Sequence, residues 1–147
     1  MSIKKSARRR ARELALQGLY GWFIAPSGAE IGLIEANLRE LEDYDLADQS
    51  LLQKILHGVL REHASLQTEI EPYLDRPVNE LSPVEYSALM IAAFELKNSL
   101  DVPYRVVINE AVEMTKEFGA TDGFKFVNGV LDKLAAELRA VEVKGGR

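Results

Sequence analysis

Apolar residues recur at steps of three and four positions along most of the chain. In the clearest run, between residues 33 and 59, they are Leu33, Leu38, Leu41, Leu51, Leu52, Ile55, Leu56 and Val59. This spacing is typical of helices that bury one face against a core. The alternating pattern of strands is nearly absent, and the β-branched run at 105–109 continues with helical spacing. The pattern therefore predicts helices almost throughout.

Seven helices are predicted from this pattern and from the residues that interrupt it. Their approximate ranges are 4–24, 28–42, 46–64, 67–75, 83–98, 103–118 and 122–140. Ser27 and Ser82 each precede a glutamate by three positions, which is the arrangement of a helix-capping box. Pro83 suits the first position of a helix, and Gly119 is predicted to end the sixth helix.

The predicted fold is all-α, a compact bundle of about seven helices in two helical subdomains. A length of 147 residues suits a single domain, 1–147, with an ordinary core. The proline-containing segment 75–83 is predicted to divide it into an N-terminal subdomain over about 1–76 and a C-terminal one over about 77–141. A hydrophobic fraction of 47% with 28% charged residues is typical of a folded globular protein.

The composition excludes several classes of protein. The chain contains no cysteine, which excludes disulfides, thiolate catalysis and cysteine-ligated metal sites. No apolar run approaches the roughly 20 residues that a membrane span needs. Glu13 and Gln17 interrupt the segment in which a secretory signal would carry its apolar core. We therefore expect a cytoplasmic protein, with an organellar transit peptide as the alternative interpretation of the basic start.

Charge is distributed unevenly along the chain. The first twelve residues hold six cations and no carboxylate, whereas the whole chain has a net charge of −5. The remaining residues hold 12 cations against 23 carboxylates, a net charge of −11. A basic N-terminus on an acidic body indicates a localised polyanion-binding surface, and the acidic body opposes docking to an anionic membrane.

On a helical wheel, the basic segment has a polar side that suits single-stranded nucleic acid. With each residue turning about 100°, that side contains Arg9, Glu13, Gln17 and Tyr20, with Arg10 at its edge. The opposite side is apolar, with Ala11, Leu14, Gly18 and Trp22. Arginine forks bind phosphate, amides read base edges and tyrosine rings stack on unpaired bases. The alternative is a solubilising terminus whose arginine stems cover apolar surface.

Catalytic and metal-binding chemistry has little support in the sequence. His57 and His63 are six positions apart on one predicted helix, about 120° from a common line, so they do not form a two-histidine metal face. The chain has no HExxH, GxxxxGK[ST] or GxGxxG motif. The carboxylates at 40–45 and 110–113 are interpreted as solvated helix faces. We predict no enzyme activity and no cofactor.

Three stretches of the chain resemble the NusB family of bacterial transcription antitermination factors. They are RRRARELALQGLY (8–20), VPYRVVINEAVEMTKEFG (102–119) and KFVNGVLDKL (125–134). Their order and spacing also match, and LSPVEYSALMIAAFEL (81–96) resembles the middle helix of that family. The resemblance covers most of the chain, whereas residues 26–50 match only in helical character.

The resemblance implies a non-enzymatic RNA-binding protein that acts in transcription. Members of this family bind the boxA element of nascent RNA together with NusE (ribosomal protein S10). Within the antitermination complex they help RNA polymerase to read through terminators, chiefly in ribosomal RNA operons. A second hypothesis is a structural module or homodimer, in which the arginine-rich face binds another protein or a second copy of the chain.

The resemblance also implies which residues form the binding sites. For RNA they are Arg8, Arg9, Arg10 and Arg12 of the arginine-rich motif, Gln17 and Tyr20 further along that helix, and Lys125, Phe126 and Asn128 near the C-terminal motif. The NusE-facing acidic residue falls on Glu85.

Several of these assignments have a structural alternative. Arg8 and Arg12 lie near the apolar edge of the wheel, so one of them can brace the helix instead of touching phosphate. Phe126 has the spacing of a core aromatic, and Glu85 can cap its own helix. Asn109 and Glu110 are expected to form hydrogen bonds between helices instead of ligand contacts.

Overall fold

The fold is that of a computed structural model, which describes residues 5–24 and 30–145. Within these ranges it contains seven α-helices, three short 3-10 helices and no strand. The α-helices are α1 (Ala7–Ile24), α2 (Ile31–Arg39), α3 (Gln49–Ile70), α4 (Pro83–Asn98), α5 (Tyr104–Phe118), α6 (Gly123–Leu138) and α7 (Ala140–Lys144). The 3-10 helices cover Glu42–Leu46, Glu71–Tyr73 and Val78–Glu80. The prediction of an all-α fold with about seven helices is confirmed.

The observed helices differ from the predicted ones between residues 30 and 75. The predicted helices 46–64 and 67–75 are largely one continuous helix, α3, because no helix breaker lies between them and Leu66 and Ile70 extend its buried face. Helix α2 ends at Arg39, earlier than predicted, and a 3-10 turn follows it. Ser27 of the first predicted capping box lies outside the described residues.

Helix α4 lies at the centre of the bundle. Its residues from Glu85 to Leu96 are all buried, because α1, α3, α5 and α6 all pack against it. A helix surrounded on every side explains why apolar and small residues cover its whole circumference. Its contact with α3 is close, since a Cβ added to Gly58 would lie 2.2 Å from a ring carbon of Phe94. The glycine therefore allows α3 and α4 to approach each other closely.

Side chains satisfy the backbone groups at both ends of α4. The Ser82 hydroxyl accepts a hydrogen bond from the Glu85 N–H at 3.1 Å, and the Glu85 carboxylate accepts one from the Ser82 N–H at 3.3 Å. This confirms the second predicted capping box. Beyond the other end, the buried Arg139 guanidinium donates to the carbonyl oxygens of Glu95, Leu96, Ser99 and Val102. The carbonyls of Glu95 and Ser99 also accept the backbone N–H groups of Ser99 and Val102, so the guanidinium adds to the hydrogen bonds that close the end of α4.

The segment between α3 and α4 contains two of the 3-10 turns. It coincides with the predicted boundary between two subdomains, at 75–83. The helices on either side of it, α3 and α4, pack directly against each other. The division into an N-terminal and a C-terminal subdomain stays a prediction.

Candidate nucleic-acid interface

The arginine-rich helix α1 starts at Ala7 and is capped by Ser6. The Ser6 hydroxyl accepts a hydrogen bond from the Arg9 N–H at 3.0 Å. Ala11 and Leu14, on the predicted apolar side, are buried in the core. The helical wheel is wrong about Glu13, which was expected on the polar side and is buried. Other parts of the fold cover Glu13, and a helical wheel does not represent them.

Arg12 lies inside the protein. Its guanidinium forms a two-pronged ion pair with Glu95 of α4, at 2.8 and 2.9 Å, and both side chains are at most 5% exposed. Burial acts to lower the pKa of Arg12, but the hydrogen bonds and charge of Glu95 outweigh it and raise the pKa above its ordinary value. Of the two arginines near the apolar edge of the wheel, Arg12 is therefore the one that braces the helix.

Arg9 lies at the surface with its guanidinium fork already occupied. Its Nε and Nη2 donate to the two carboxylate oxygens of Glu110 on α5, at 3.2 and 2.8 Å. These hydrogen bonds raise the pKa of Arg9 above its ordinary value. The expected hydrogen bond between helices is confirmed for Glu110, whereas Asn109 is exposed and lines a cleft with Arg105. A phosphate that binds this edge of Arg9 has to replace the carboxylate.

Two further cations of the basic segment are paired as well. Arg10 donates to Asp43 at 2.8 Å. Lys5 donates to Glu117 at 2.8 Å and to Glu13 at 2.9 Å. Residues 5–12 are thus linked to other parts of the chain by ion pairs.

Arg8 is the most exposed of the four arginines of the motif. It lies at the rim of an open cleft of about 240 Å³, which Lys54 also lines. The helical wheel placed Arg9 on the polar side and Arg10 at its edge, but in the structure both are half-buried against carboxylates. The difference arises because α5 and the 3-10 turn Glu42–Leu46 cover one side of the helix start.

Gln17 and Tyr20 follow on the exposed side of α1, one turn apart. Gln17 is exposed, and Tyr20 is 40% exposed. An exposed amide and an exposed phenol ring can make the hydrogen bonds and stacking contacts that unpaired bases offer.

The predicted residues of α6 have three different environments. Lys125 is exposed and lies 3.5 Å from Asp122. Asn128 is exposed and lines a cleft with Arg105. Phe126 packs partly against the core, and the Arg76 guanidinium lies 4.2 Å from its ring centroid. The ring of Phe126 therefore contacts both the core and the Arg76 guanidinium.

Two phenylalanines that were not predicted as binding residues from the sequence lie at the junction of α5 and α6. Phe118 ends α5 and is 38% exposed, with Lys5 Nζ 6.0 Å from its ring centroid. Phe124 lies in the first turn of α6, with Lys116 Nζ at 4.9 Å and Lys125 Nζ at 6.0 Å. We call this surface the α5–α6 corner; it consists of Lys5, Lys116, Phe118, Phe124 and Lys125. This surface could have been predicted from the sequence, because lysine and phenylalanine recur close together in KEFGATDGFKF (116–126).

Glu85 is buried and has two structural roles. It closes the capping box of α4, as described above, and its Oε2 lies 2.7 Å from the position that a Cβ on Gly123 would take. The close approach explains why α6 begins with a glycine. A contact between Glu85 and a partner protein stays a prediction.

The two histidines contact side chains of other helices. His57 lies 3.0 Å from Glu35 of α2, and His63 contacts the rings of Trp22, Phe23 and Tyr86. Across 5–24 and 30–145, no group of three or more histidine and carboxylate side chains is arranged to hold a metal ion. No helix in those ranges is long and apolar enough to cross a membrane.

Fold and surface together define a small all-α protein with a cationic and aromatic face. The NusB family model matches residues 9–136, so the chain belongs to the NusB family. It is 59% identical over 145 residues to the transcription antitermination protein NusB of Burkholderia vietnamiensis (strain G4 / LMG 22486), covering 99% of both chains. It is 57% identical over 145 residues to that of Burkholderia mallei (strain SAVP1), again covering 99% of both chains. These relatives are transcription proteins, which confirms the expectation that the chain is not an enzyme.

Solved structures have the same fold. NusB of T. maritima is similar with a TM-score of 0.78 at 29% identity, covering 91% of this chain and 94% of that one. A complex of the antitermination factors NusB and NusE with dsRNA contains a similar chain, with a TM-score of 0.74 at 23% identity, covering 88% and 96%. The resemblance predicted from the sequence is confirmed.

Proposed function

We propose that the protein is a transcription antitermination factor that binds boxA RNA together with NusE in the cytoplasm. In this role it promotes read-through by RNA polymerase as part of an antitermination complex, notably on ribosomal RNA operons. The observation that carries the proposal is the exposed set of cations and aromatic rings around α1 and the start of α6, in a chain of the NusB family. The acidic remainder of the chain confines RNA to that surface.

RNA is bound by two kinds of contact. Arg8 and Lys125, whose side chains are exposed, contact phosphates, and Arg9 and Arg10 join them by exchanging a carboxylate for a phosphate. Gln17, Tyr20 and Asn128 contact bases by hydrogen bonding and stacking, alongside the ring of Phe126. Arg12 contributes indirectly, because its ion pair with Glu95 fixes α1 against α4.

NusE is the proposed protein partner, and a complex of NusB, NusE and dsRNA has a chain of the same fold. Glu85 is the residue proposed to face NusE. Because the carboxylate is buried and already closes the capping box, we expect it to act on NusE mainly through its charge.

The test is a titration of boxA RNA and of a scrambled RNA with the protein, with and without NusE, over a series of salt concentrations. Wild type should prefer boxA RNA, and NusE should strengthen that preference. Arg8→Ala and Lys125→Ala should each reduce the slope of log affinity against log salt by about 0.7 to 1, the value for one lost phosphate contact. Arg61→Ala, which removes an exposed arginine of α3, is the matched control and should leave the slope unchanged. Equal binding of both RNAs by wild type, with and without NusE, would contradict the proposal.

The second candidate function is a homodimer or partner-binding module, and the ion pairs of Arg9 and Arg10 favour it. Arginines held by the chain's own carboxylates are partly masked from phosphate. Light scattering of the protein with and without boxA RNA separates the two functions. A dimer that persists, with the RNA unbound, supports the structural module; a protein–RNA complex supports the antitermination factor.

A further inference from the structure

The α5–α6 corner combines aromatic rings with mobile cations. Phe118 and Phe124 lie on either side of the four-residue connection 119–122, one at the end of α5 and the other at the start of α6. The phenylalanines at the protein surface differ in the cation that lies near the ring. The Arg76 guanidinium lies 4.2 Å from the ring centroid of Phe126, whereas the cations near Phe118 and Phe124 are lysines. Lysine is a flexible point charge, so it can leave a ring more easily than a planar guanidinium stacked on it.

The lysines of this corner have room to move. The side chains of Lys116 and Lys125 are 48% and 70% exposed, and their ion pairs with Glu113 and Asp122 are at the surface, at 3.3 and 3.5 Å. Exposed pairs of this kind contribute little to stability. When a base covers the ring of Phe124, both ammonium groups can turn to neighbouring phosphates without a large loss elsewhere.

The corner is also continuous with the arginine-rich helix. Lys5 precedes α1, yet its ammonium group bonds to Glu117 at 2.8 Å and lies 6.0 Å from the ring of Phe118. A strand of RNA that contacts the start of α1 can continue to the corner along the groove between Arg9 and Lys116, where these cations offset the carboxylates of Glu13, Glu110, Glu113 and Glu117. Aromatic rings interleaved with cations are the arrangement by which proteins bind unpaired bases.

We propose that the α5–α6 corner is a base-stacking subsite for single-stranded RNA, in which Phe118 and Phe124 each hold one unpaired base and Lys5, Lys116 and Lys125 bind the adjoining phosphates. The subsite rests on the proposed function, since it extends the same RNA-binding surface. Stacking accepts any base, so the subsite adds affinity for single strands and leaves the choice of sequence to the amide side chains along α1 and α6.

The test replaces each ring by an apolar side chain without a π face. Phe118→Leu and Phe124→Leu should each weaken binding of boxA RNA and of scrambled single-stranded RNA about fivefold or more, which corresponds to the loss of one stacked base. Because no charge is lost, the dependence of affinity on salt should keep the wild-type slope. Double-stranded RNA, whose bases are already stacked, should bind all variants equally.

Tyr73→Leu is the matched control. Tyr73 is a half-buried ring that donates a hydrogen bond to Glu137, which lies about 20 Å from Phe124 along α6, so it is outside the proposed RNA-binding surface. This variant should bind RNA as wild type does. Phe124→Tyr keeps a π face and should also retain wild-type affinity, even if Phe124→Leu proves unstable in a thermal melt.

Three outcomes separate the possibilities. Leucine variants that bind single-stranded RNA within twofold of wild type overturn the subsite. Equal losses for Phe124→Leu and Phe124→Tyr also overturn it, because the ring then matters for packing alone. A wild-type protein that binds no RNA, with or without NusE, contradicts the proposed function itself, whatever the variants do.

Discussion

Neighbouring arginines of one motif have quite different environments in this protein. Arg8 is exposed, Arg9 is held at the surface by Glu110, and Arg12 is buried against Glu95. The wheel correctly indicated that one arginine near the apolar edge would brace the helix. It could not distinguish Arg8 from Arg12, because the deciding carboxylate is supplied by α4, 83 residues further along the chain.

Arg12→Ala should destabilise the protein by about 3–5 kcal/mol, because it leaves the Glu95 carboxylate buried without its partner. Urea denaturation followed by circular dichroism measures this loss. The double variant Arg12→Met/Glu95→Leu should recover most of it, since apolar side chains of similar size can replace a buried ion pair. A single variant within 1 kcal/mol of wild type would show that water or another cation reaches Glu95.

At the scale of helices, the sequence pattern predicted most of the fold. The starts of α4 and α5 and the end of α5 follow from Pro83, Pro103 and Gly119, which act through local backbone geometry. The pattern failed where tertiary packing decides, since α3 continues through 65–66 to bury Leu66 and Ile70. The apolar composition of α4 indicates that it lies at the centre of the bundle, but it does not indicate which helices surround it.

Two of the helical glycines, Gly58 and Gly129, should respond to alanine in opposite directions. In α3, a Cβ at Gly58 would overlap the buried ring of Phe94, so Gly58→Ala should destabilise the protein by about 1–3 kcal/mol despite the better helix propensity of alanine. In α6, nothing lies within 4 Å of a Cβ at Gly129, so Gly129→Ala should stabilise it by roughly 0.5–1 kcal/mol. Thermal melts of both variants measure these changes. A stabilising Gly58→Ala would mean that α3 and α4 can move apart.

For the molecule as a whole, the basic start and the acidic body are partly neutralised by each other. Lys5, Arg9 and Arg12 are joined to Glu117, Glu110 and Glu95, which are 83 to 112 residues away in the chain. The uneven charge is visible in the sequence, and it correctly indicated where the cations are concentrated. The sequence did not reveal that these same ion pairs attach the N-terminus to α4 and α5.

Glu13 makes this attachment dependent on pH. Burial raises the pKa of the Glu13 carboxyl above its ordinary value, and the hydrogen bond from Lys5 offsets this only in part. The folded protein therefore binds the proton of Glu13 more tightly than the unfolded chain does. The resulting contribution to stability is fully present below the ordinary pKa of 4.5 and is lost as the pH rises through the raised pKa.

Glu13→Gln should consequently leave the stability near wild type at pH 4 and raise it at pH 7, where the wild type has to bury a charged carboxylate. The amide oxygen can still accept the hydrogen bond of Lys5. Free energies of unfolding from urea titrations at both pH values test this. Glu117→Gln, which neutralises the exposed partner of the same lysine, should change stability by less than about 0.5 kcal/mol at either pH. If Glu13→Gln is instead less stable than wild type at pH 7, the ion pair with Lys5 outweighs the burial of the carboxylate.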